Sequence, residues 1–294
     1  MTNSVGVLGA TSLVGRPLLA RLVASGNTIV ACSRQPPTEQ AAGITWCQPE
    51  DPAPVASPIT HWIALCPAWA TVDAFAWLVS CGAKRLVAVS STSVLSKQAS
   101  PDAAERRLAE RLAEAEKALV SRAACTGVTL VLLRPTMIYD GLTDGNITTI
   151  ATFVRRWGWF PVCGPALGLR QPVHADDVAD ASLAALDHPT PKPLYTLSGG
   201  EALPFRDLVT RTCHAHGLTP RLVSMPRGLW RLLALVGSCL GFSRRATIGT
   251  AARMNEDLVF DHADAAADLG FRPRPFLAAH GSLDAQRGVV TRHE

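Results

Sequence analysis

The chain has 294 residues, of which 48% are hydrophobic and 18% are charged, so it can build a sizeable core and is not expected to be globally disordered. Its 28 basic and 24 acidic residues give a net charge of +4. The basic residues are scattered, which disfavours a nucleic-acid-binding surface, because such a surface needs clustered Lys and Arg.

Strand-like and helix-like runs alternate from the start of the chain. SVGVLG predicts a first strand, SLVGRPLLARLVASG a helix, and TIVACSR a second strand. HWIALC, RLVAVSS and TLVLLRP are continuous apolar runs, typical of parallel strands that are buried on both faces. Segments with helical spacing lie between them. The order predicts an α/β fold, a Rossmann-type doubly wound parallel sheet.

After residue 136 the alternation loosens into a turn-rich stretch, several helical segments and one late strand, PLYTLSG. We expect residues 1–135 to form a dinucleotide-binding core. Residues 136–294 are expected to add late sheet elements and a small discontinuous C-terminal lobe, and the two parts are expected to form one structural unit.

The apolar stretch at 229–242 includes LLALVGSCLGF, which is too short to span a bilayer, since spanning takes about 20 residues. We interpret it as a packing helix. A wall for a lipophilic substrate and a membrane-surface patch are the alternatives.

The cysteines and the N-terminal residues favour one cellular compartment. The eight cysteines include no C-x-x-C pair and no Cys/His cluster, so we expect no metal site and reduced thiols. The chain enters a strand-like run without a charged-then-apolar leader, so we expect no signal peptide and a cytoplasmic protein.

The stretch VGVLGATSLVGRPL joins the first predicted strand to the first helix and contains two glycines six residues apart. The first glycine permits a tight turn, the last lets helix and strand pack closely, and the amides at the helix start face a pyrophosphate. Ser12 stands where the middle glycine of G-x-x-G-x-x-G is usual. The motif predicts dinucleotide binding, with a tight turn without ligand as the alternative. The residues predicted to bind are Gly9, Thr11, Ser12, Leu13, Val14 and Gly15.

The second strand ends Cys32-Ser33-Arg34 and has no acidic residue there. An acid at this point would hold the ribose hydroxyls of NAD, whereas a 2′-phosphate favours guanidinium groups and a hydroxyl. We therefore predict NADP(H) rather than NAD, bound through Ser33 and Arg34 with Arg16 nearby. The alternative is that Arg34 is a solvated loop residue.

Five stretches in order, the glycine motif, RLVAVSSTSVL, LVLLRPTMIYD, RQPVHADDVADA and LVFDHADAAADLGFRPRPF, resemble the extended and atypical short-chain dehydrogenase/reductases. That group includes NAD-dependent epimerase/dehydratase-like proteins, and the resemblance covers almost the whole chain. It implies that Ser91 hydrogen-bonds the reacting oxygen of a substrate. It also implies that Arg170 binds a substrate phosphate, with His174 following at the family's spacing.

Each of these residues also has a structural interpretation. Ser91 could cap backbone groups at the strand end, and His174 could be an interior, hydrogen-bonded histidine. Asp176 and Asp177 are interpreted as caps of the next helix.

The family's catalytic Tyr and Lys lie eight and four residues before a helical Glu that resembles Glu116. Those positions hold Leu108 and Leu112. Neither of the two tyrosines, Tyr139 and Tyr195, has a Lys four residues later, so the pair is missing. The leucines have the spacing of a helix face in a core.

Tyr139 lies near the expected cofactor edge and is the candidate substitute proton donor. Packing in a turn would explain it equally well.

These observations leave two functions open. One is an NADP(H)-dependent oxidoreductase or epimerase-like enzyme that acts on a small or apolar carbonyl or hydroxyl substrate, with Ser91 and Tyr139 polarising the carbonyl. The other is a non-catalytic NADP(H)-binding accessory or sensor protein, since the chain also resembles the nicotinamide-carrying accessory subunit of respiratory complex I. We expect no nucleic-acid partner and no transmembrane segment, and we leave open a homodimer.

Overall fold

The computed structural model describes residues 4–37, 42–49, 58–226, 228–230 and 248–277. Its strands are β1 Ser4–Leu8, β2 Thr28–Cys32, β3 Ile44–Cys47, β4 His61–Ala64, β5 Arg85–Val89, β6 Thr129–Pro135, β7 Ile138–Tyr139, β8 Trp159–Cys163, β9 Leu169–Arg170, β10 Val173–His174, β11 Leu194–Leu197, β12 Leu203–Pro204 and β13 Arg221–Met225. The helices within the described residues are α1 Gly15–Ala24, α2 Ala68–Ser80, α3 Ser93–Ser96, α4 Ala103–Thr126, α5 Ile147–Trp157, α6 Ala175–Asp187, α7 Phe205–Ala215, α8 Ile248–Arg253 and α9 Ala263–Leu269.

A seven-stranded parallel sheet organises the molecule. Its strand order is β11-β6-β5-β4-β1-β2-β3, so the chain winds outward from β1 in both directions. This order confirms the predicted Rossmann-type doubly wound sheet. In such a sheet, ligands bind outside the carboxyl ends of the strands where the order reverses, here between β1 and β4.

The sheet is buried on both faces, which explains its continuous apolar strands. Val7 and Ile63 point into a core shared with α1 and α6, while Trp62 and Leu86 point into a core shared with α2 and α4; all four are at most 1% exposed. Because neighbouring residues of one strand face opposite layers, most positions of the inner strands must be apolar.

The second half of the chain contributes both to this sheet and to a small lobe. β11 extends the sheet by pairing with β6 in parallel. The lobe packs α5 against α7 beside short two-stranded ladders, around a core that includes Ile147, Leu208 and Phe276. The predicted late strand and discontinuous lobe are therefore present, and the division at residue 135 stays a prediction.

Helix α4 has the apolar face that its sequence predicts. Its first turn is capped by Asp102, whose carboxylate accepts from Ala104 N–H at 2.8 Å. Leu112 is 5% exposed and packs into the core against α2, while Leu108 is half-buried at the edge of the same cluster. One turn on, Glu116 accepts from Nε of Arg134 at 2.9 Å and ties the helix to β6.

A disulfide joins Cys32 and Cys47, which contradicts the expectation that all thiols are reduced. The two residues lie opposite each other on β2 and β3, with their Cα atoms 4.8 Å apart. Strand register brings them together, and a separation of 15 residues does not reveal that register.

Most of the predicted packing helix at 229–242 lies outside the described residues. Among the helices that the structure does describe, none is long and apolar enough to cross a membrane.

Truncating Leu112 tests the packing of α4. Leu112→Ala is expected to lower the free energy of unfolding by about 2–5 kcal/mol, because it removes a buried side chain and leaves a cavity. Urea denaturation measures the change. Val120→Ala is the matched control on the same helix, since Val120 is 52% exposed, and should change stability by no more than about 0.5 kcal/mol. Equal losses in both variants would contradict the assignment.

Candidate functional site

A first cavity of about 930 Å³ opens at the carboxyl ends of β1, β2 and β4. It sits at the point where the strand order reverses, which is where doubly wound sheets bind ligands. Its lining is Leu8, Gly9, Thr11, Ser12, Cys32, Ser33, Arg34, Gln35, Gln48, Pro49, Leu65, Cys66, Pro67, Ala70, Asp73 and Ala74.

The loop between β1 and α1 needs both of its glycines. Gly9 has a φ of 77°, and a Cβ there would lie 2.8 Å from the backbone nitrogen of Cys66. A Cβ on Gly15 would lie 2.1 Å from the carbonyl oxygen of Ala10. The backbone therefore approaches itself as closely as a phosphate-binding turn requires.

The six loop residues predicted to bind a dinucleotide divide into two groups. Gly9, Thr11 and Ser12 line the first cavity. Leu13 packs against the core and Val14 is buried in it, so their side chains do not line the cavity, and Gly15 is buried at the start of α1. Ser12 Oγ also accepts from Gly15 N–H at 3.2 Å and so satisfies an amide at the helix start. Dinucleotide contact by these residues stays a prediction.

The end of β2 presents a hydroxyl and a guanidinium to the first cavity. Ser33 Oγ lies 3.0 Å from Thr11 Oγ1 and accepts from Gln35 N–H at 3.2 Å. Arg34 lines the cavity and forms no ion pair within the described part of the chain. Asp73, on α2, is the one acidic residue among the described residues of the lining. Arg16, expected nearby, is exposed and does not line the cavity.

A second cavity of about 480 Å³ opens at the carboxyl ends of β5 and β6. Three cationic residues line it, and no Asp or Glu does so among the residues described. Its lining is Ser90, Ser91, Thr92, Ser93, Ser96, Lys97, Pro135, Thr136, Met137, Ile138, Asn146, Arg170, Gln171, Phe205, Arg253, Met254, Leu258 and Phe260.

Arg170 is anchored to the segment that follows α8. Its guanidinium donates to the carbonyl oxygen of Glu256 at 2.8 Å and to that of Arg253, and it lies 5.6 Å from the centre of the Phe205 ring. Burial, reinforced by the charge of Arg253, lowers the pKa of Arg170 to about 10. Arg170, which the resemblance assigns to a substrate phosphate, therefore lines the second cavity and also ties two segments of its wall together.

Arg253 is the second guanidinium of this cavity, and it is ion-paired with Glu105 at the start of α4. Both side chains are largely buried, so the pair fixes the position of the Arg253 charge and partly neutralises it.

Two consecutive serines after β5 differ in their hydrogen bonds. Ser91 Oγ accepts from Ser93 N–H at 3.1 Å, which leaves its own O–H free to donate into the cavity. Ser90 is 9% exposed, and its hydroxyl has no partner among the described residues. A buried hydroxyl without a partner costs free energy, so Ser90 is a second candidate donor beside the predicted Ser91.

His174 lies outside both cavities and acts as a helix cap. Its Nδ1 accepts from Asp176 N–H at 3.2 Å, and the ring stacks edge-on against Tyr139. Burial, followed by the charge of Arg274, lowers the pKa of His174, which keeps the ring neutral. The predicted caps are corrected: His174 caps α6, while Asp177, in its first turn, accepts from Arg274 Nε at 2.8 Å.

Tyr139 is buried as a packing residue, which is the alternative that the sequence left open, and its role as a proton donor stays a prediction that this position disfavours. It is 1% exposed and lines neither cavity. Its hydroxyl accepts from Leu277 N–H at 3.2 Å and lies 3.5 Å from the carbonyl of Pro275. Burial raises the pKa of Tyr139 to about 12. The backbone after β6 turns the ring into the lobe core, away from the sheet edge.

Sequence reasoning missed Ser90, Lys97 and Arg253. Lys97 follows the short helix that succeeds β5, so its place near the sheet edge could have been inferred from its closeness to Ser91. Arg253 arrives through a long-range contact between α8 and α4, for which the sequence carries no local pattern.

No family model and no curated protein matches the chain. Among solved structures, it is similar to gox2253, with 17% identity, full coverage of both chains and a TM-score of 0.71. It is similar to a UDP-glucose 4-epimerase from Thermotoga maritima in complex with UDP-glucose, with 14% identity, 98% and 99% coverage and a TM-score of 0.68. It is also similar to MoeE5 in complex with UDP-glucose and NAD, with 19% identity, 98% and 100% coverage and a TM-score of 0.67. The chain shares the Rossmann-type fold of these proteins.

Proposed function

We propose that the protein is a nicotinamide-dinucleotide-dependent oxidoreductase or epimerase-like enzyme whose substrate carries a phosphate or carboxylate group. The observation that carries this proposal is the second cavity, with three cationic residues and no acidic residue in its described lining. Such a cavity attracts an anion and repels cations. From the small or apolar carbonyl or hydroxyl substrates expected from the sequence, the charge of the cavity favours an anionic one.

The first cavity supports the dinucleotide. A Cβ at Gly9 or Gly15 would collide with backbone, so the loop is as close-packed as the turn that cradles a pyrophosphate. We propose NADP(H) as the preferred cofactor, because Arg34 is unpaired among the described residues and lies beside Ser33. MoeE5 was solved with NAD, so the preference rests on the β2 end of this chain alone.

A bound nicotinamide would supply or accept the hydride. The chain would position the substrate anion through Arg170 and Arg253 at one side of the second cavity. Ser91, whose acceptor side is already occupied by Ser93 N–H, would donate a hydrogen bond to the reacting oxygen.

A second candidate function is a non-catalytic NADP(H)-binding accessory or sensor protein. One observation favours it: Leu108 and Leu112 pack in the core, and the Tyr139 hydroxyl is bound to backbone. None of these three positions can therefore supply a proton.

Turnover assays separate the two functions. Oxidation of NADPH and reduction of NADP⁺ are followed by absorbance with glucose 6-phosphate and with glucose, a pair that differs only in the phosphate, and UDP-glucose epimerisation is followed by NMR. If the protein is the proposed enzyme, it should turn over a phosphate-bearing probe and should not turn over glucose. Tight NADPH binding without turnover of either phosphate-bearing probe would favour the accessory function.

Changing Arg34 tests the cofactor preference. Calorimetry should show that the native protein binds NADPH more tightly than NADH. Arg34→Asp should reverse the order, because a charge-assisted contact worth about 1–3 kcal/mol becomes a repulsion. Arg16→Asp is the matched control, since Arg16 is exposed and outside the cavity, and should leave the ratio unchanged. Equal affinities of the native protein for both cofactors would contradict the proposal.

Filling the contact at Gly15 tests the loop. Gly15→Val should abolish NADPH binding, because the new side chain would push α1 away from the carbonyl of Ala10. Gly228→Val is the control, since a Cβ at Gly228 meets nothing within 4 Å. Fluorescence of bound NADPH gives the affinity and circular dichroism shows whether each variant folds. A folded Gly15→Val variant with native affinity would show that the loop does not hold the dinucleotide.

A further inference from the structure

Lys97 occupies a defined place beside the two serines of the second cavity. It is the C-terminal cap of α3, and its backbone N–H donates to the carbonyl of Ser93 at 3.2 Å. The same turn is fixed by the bond from Ser93 N–H to Ser91 Oγ. Lys97 is therefore held at the carboxyl end of β5, and its side chain lines the cavity with Ser90 and Ser91.

The three cations of this cavity are not equivalent. Arg170 donates to backbone carbonyls, and Arg253 is ion-paired with Glu105. The Lys97 ammonium forms no hydrogen bond and no ion pair within the described part of the chain. The charged groups that act on it there are Arg253 from α8, and Glu105 and Asp102 from the start of α4.

Lys97 is also the only amine among the described residues of the lining. The other ionisable residues there are Arg170 and Arg253, and both guanidinium groups are bound to partners within the protein. Burial, followed by the charge of Arg253, lowers the pKa of Lys97. A neutral amine is thereby more accessible at Lys97 than at a solvated lysine.

We propose that Lys97 is a catalytic residue that exchanges a proton with the reacting oxygen of the substrate. The two positions of α4 that the resemblance assigns to this role hold Leu108 and Leu112. The proposal rests on the proposed function. In the oxidative direction, the neutral amine takes the hydroxyl proton and becomes ammonium. As the carbon–hydrogen bond breaks, the hydrogen would leave with both bonding electrons as a hydride, a bound oxidised nicotinamide dinucleotide would accept it, and the C=O bond would form. In reduction the ammonium returns the proton. The Ser91 hydroxyl, which already accepts from Ser93 N–H, donates a hydrogen bond to the same oxygen.

A first experiment measures the protonation of the Lys97 amine and does not require turnover. The chain has four lysines, Lys84, Lys97, Lys117 and Lys192, so reductive ¹³C-methylation gives few signals, and Lys→Arg variants assign them. NMR titration of the full chain should show Lys97 titrating at lower pH than exposed Lys84 and Lys117. Titration of Lys97 together with these two would overturn the proposal.

A second experiment reads the proton exchange in turnover. With glucose 6-phosphate or UDP-glucose, whichever the native protein turns over, Lys97→Met should lower kcat about 10²–10⁴-fold, as loss of a general acid–base group does. The limb of the pH profile that reports the amine should disappear. Lys117→Met is the matched control on an exposed lysine, and both variants should bind NADPH as the native protein does, because Lys97 lies outside the first cavity.

Lys97→Arg separates proton exchange from charge. It keeps the positive charge but cannot release its proton, so its kcat should fall as far as that of Lys97→Met. A native kcat in Lys97→Arg would overturn the proposal and leave Lys97 as an anion ligand. Native turnover in Lys97→Met would overturn it while leaving the proposed function intact. Absence of turnover by the native protein with both phosphate-bearing probes would reject the proposed function and this proposal with it.

Discussion

One wall of the second cavity is a distant segment that Arg170 and its neighbours Leu169 and Gln171 hold in place. The Arg170 guanidinium binds the carbonyls of Arg253 and Glu256, and the main chain continues the contact from Leu258 N–H to the carbonyl of Leu169 at 2.9 Å. Carbonyls at the end of a helix lack partners within it and carry partial negative charge, so a guanidinium is well suited to donate hydrogen bonds to them. This contact helps to hold the wall that is formed by Arg253, Met254, Leu258 and Phe260.

The resemblance assigns both core packing and proton transfer to one helix, α4, whereas this protein separates them. Helix α4 packs: Leu112 enters the core and Glu116 binds Arg134 on β6. The chemistry that we propose lies instead in the turn after β5, where two serines and Lys97 line the second cavity. Such a division frees α4 from the partly wetted position that a catalytic lysine needs, since a buried and unpaired ammonium is costly.

Much of the fold could be predicted from the sequence, because its signals are local. Continuous apolar runs identify strands buried on both faces, and the spacing of Gly9 and Gly15 identifies the turn where the strand order reverses. The site was predicted less well, because its geometry depends on contacts between distant segments. Tyr139 has the chemistry of a proton donor, yet the backbone after β6 directs it into the lobe. The pairing of Cys32 with Cys47 follows from strand register, and the charge of the second cavity depends on an arginine from α8.

The contacts of Tyr139 also bear on the order in which the protein folds during synthesis. Its hydroxyl, the carboxylate of Asp177 and that of Glu201 each accept from the backbone of residues 274–277, at 3.2, 2.9 and 2.8 Å. The six amino-terminal strands of the sheet can pair once residue 135 has emerged. The three acceptors can form their hydrogen bonds only after residues 274–277 have been synthesised. Until then, these acceptors lack their donors, and the lobe core around Tyr139 lacks Phe276.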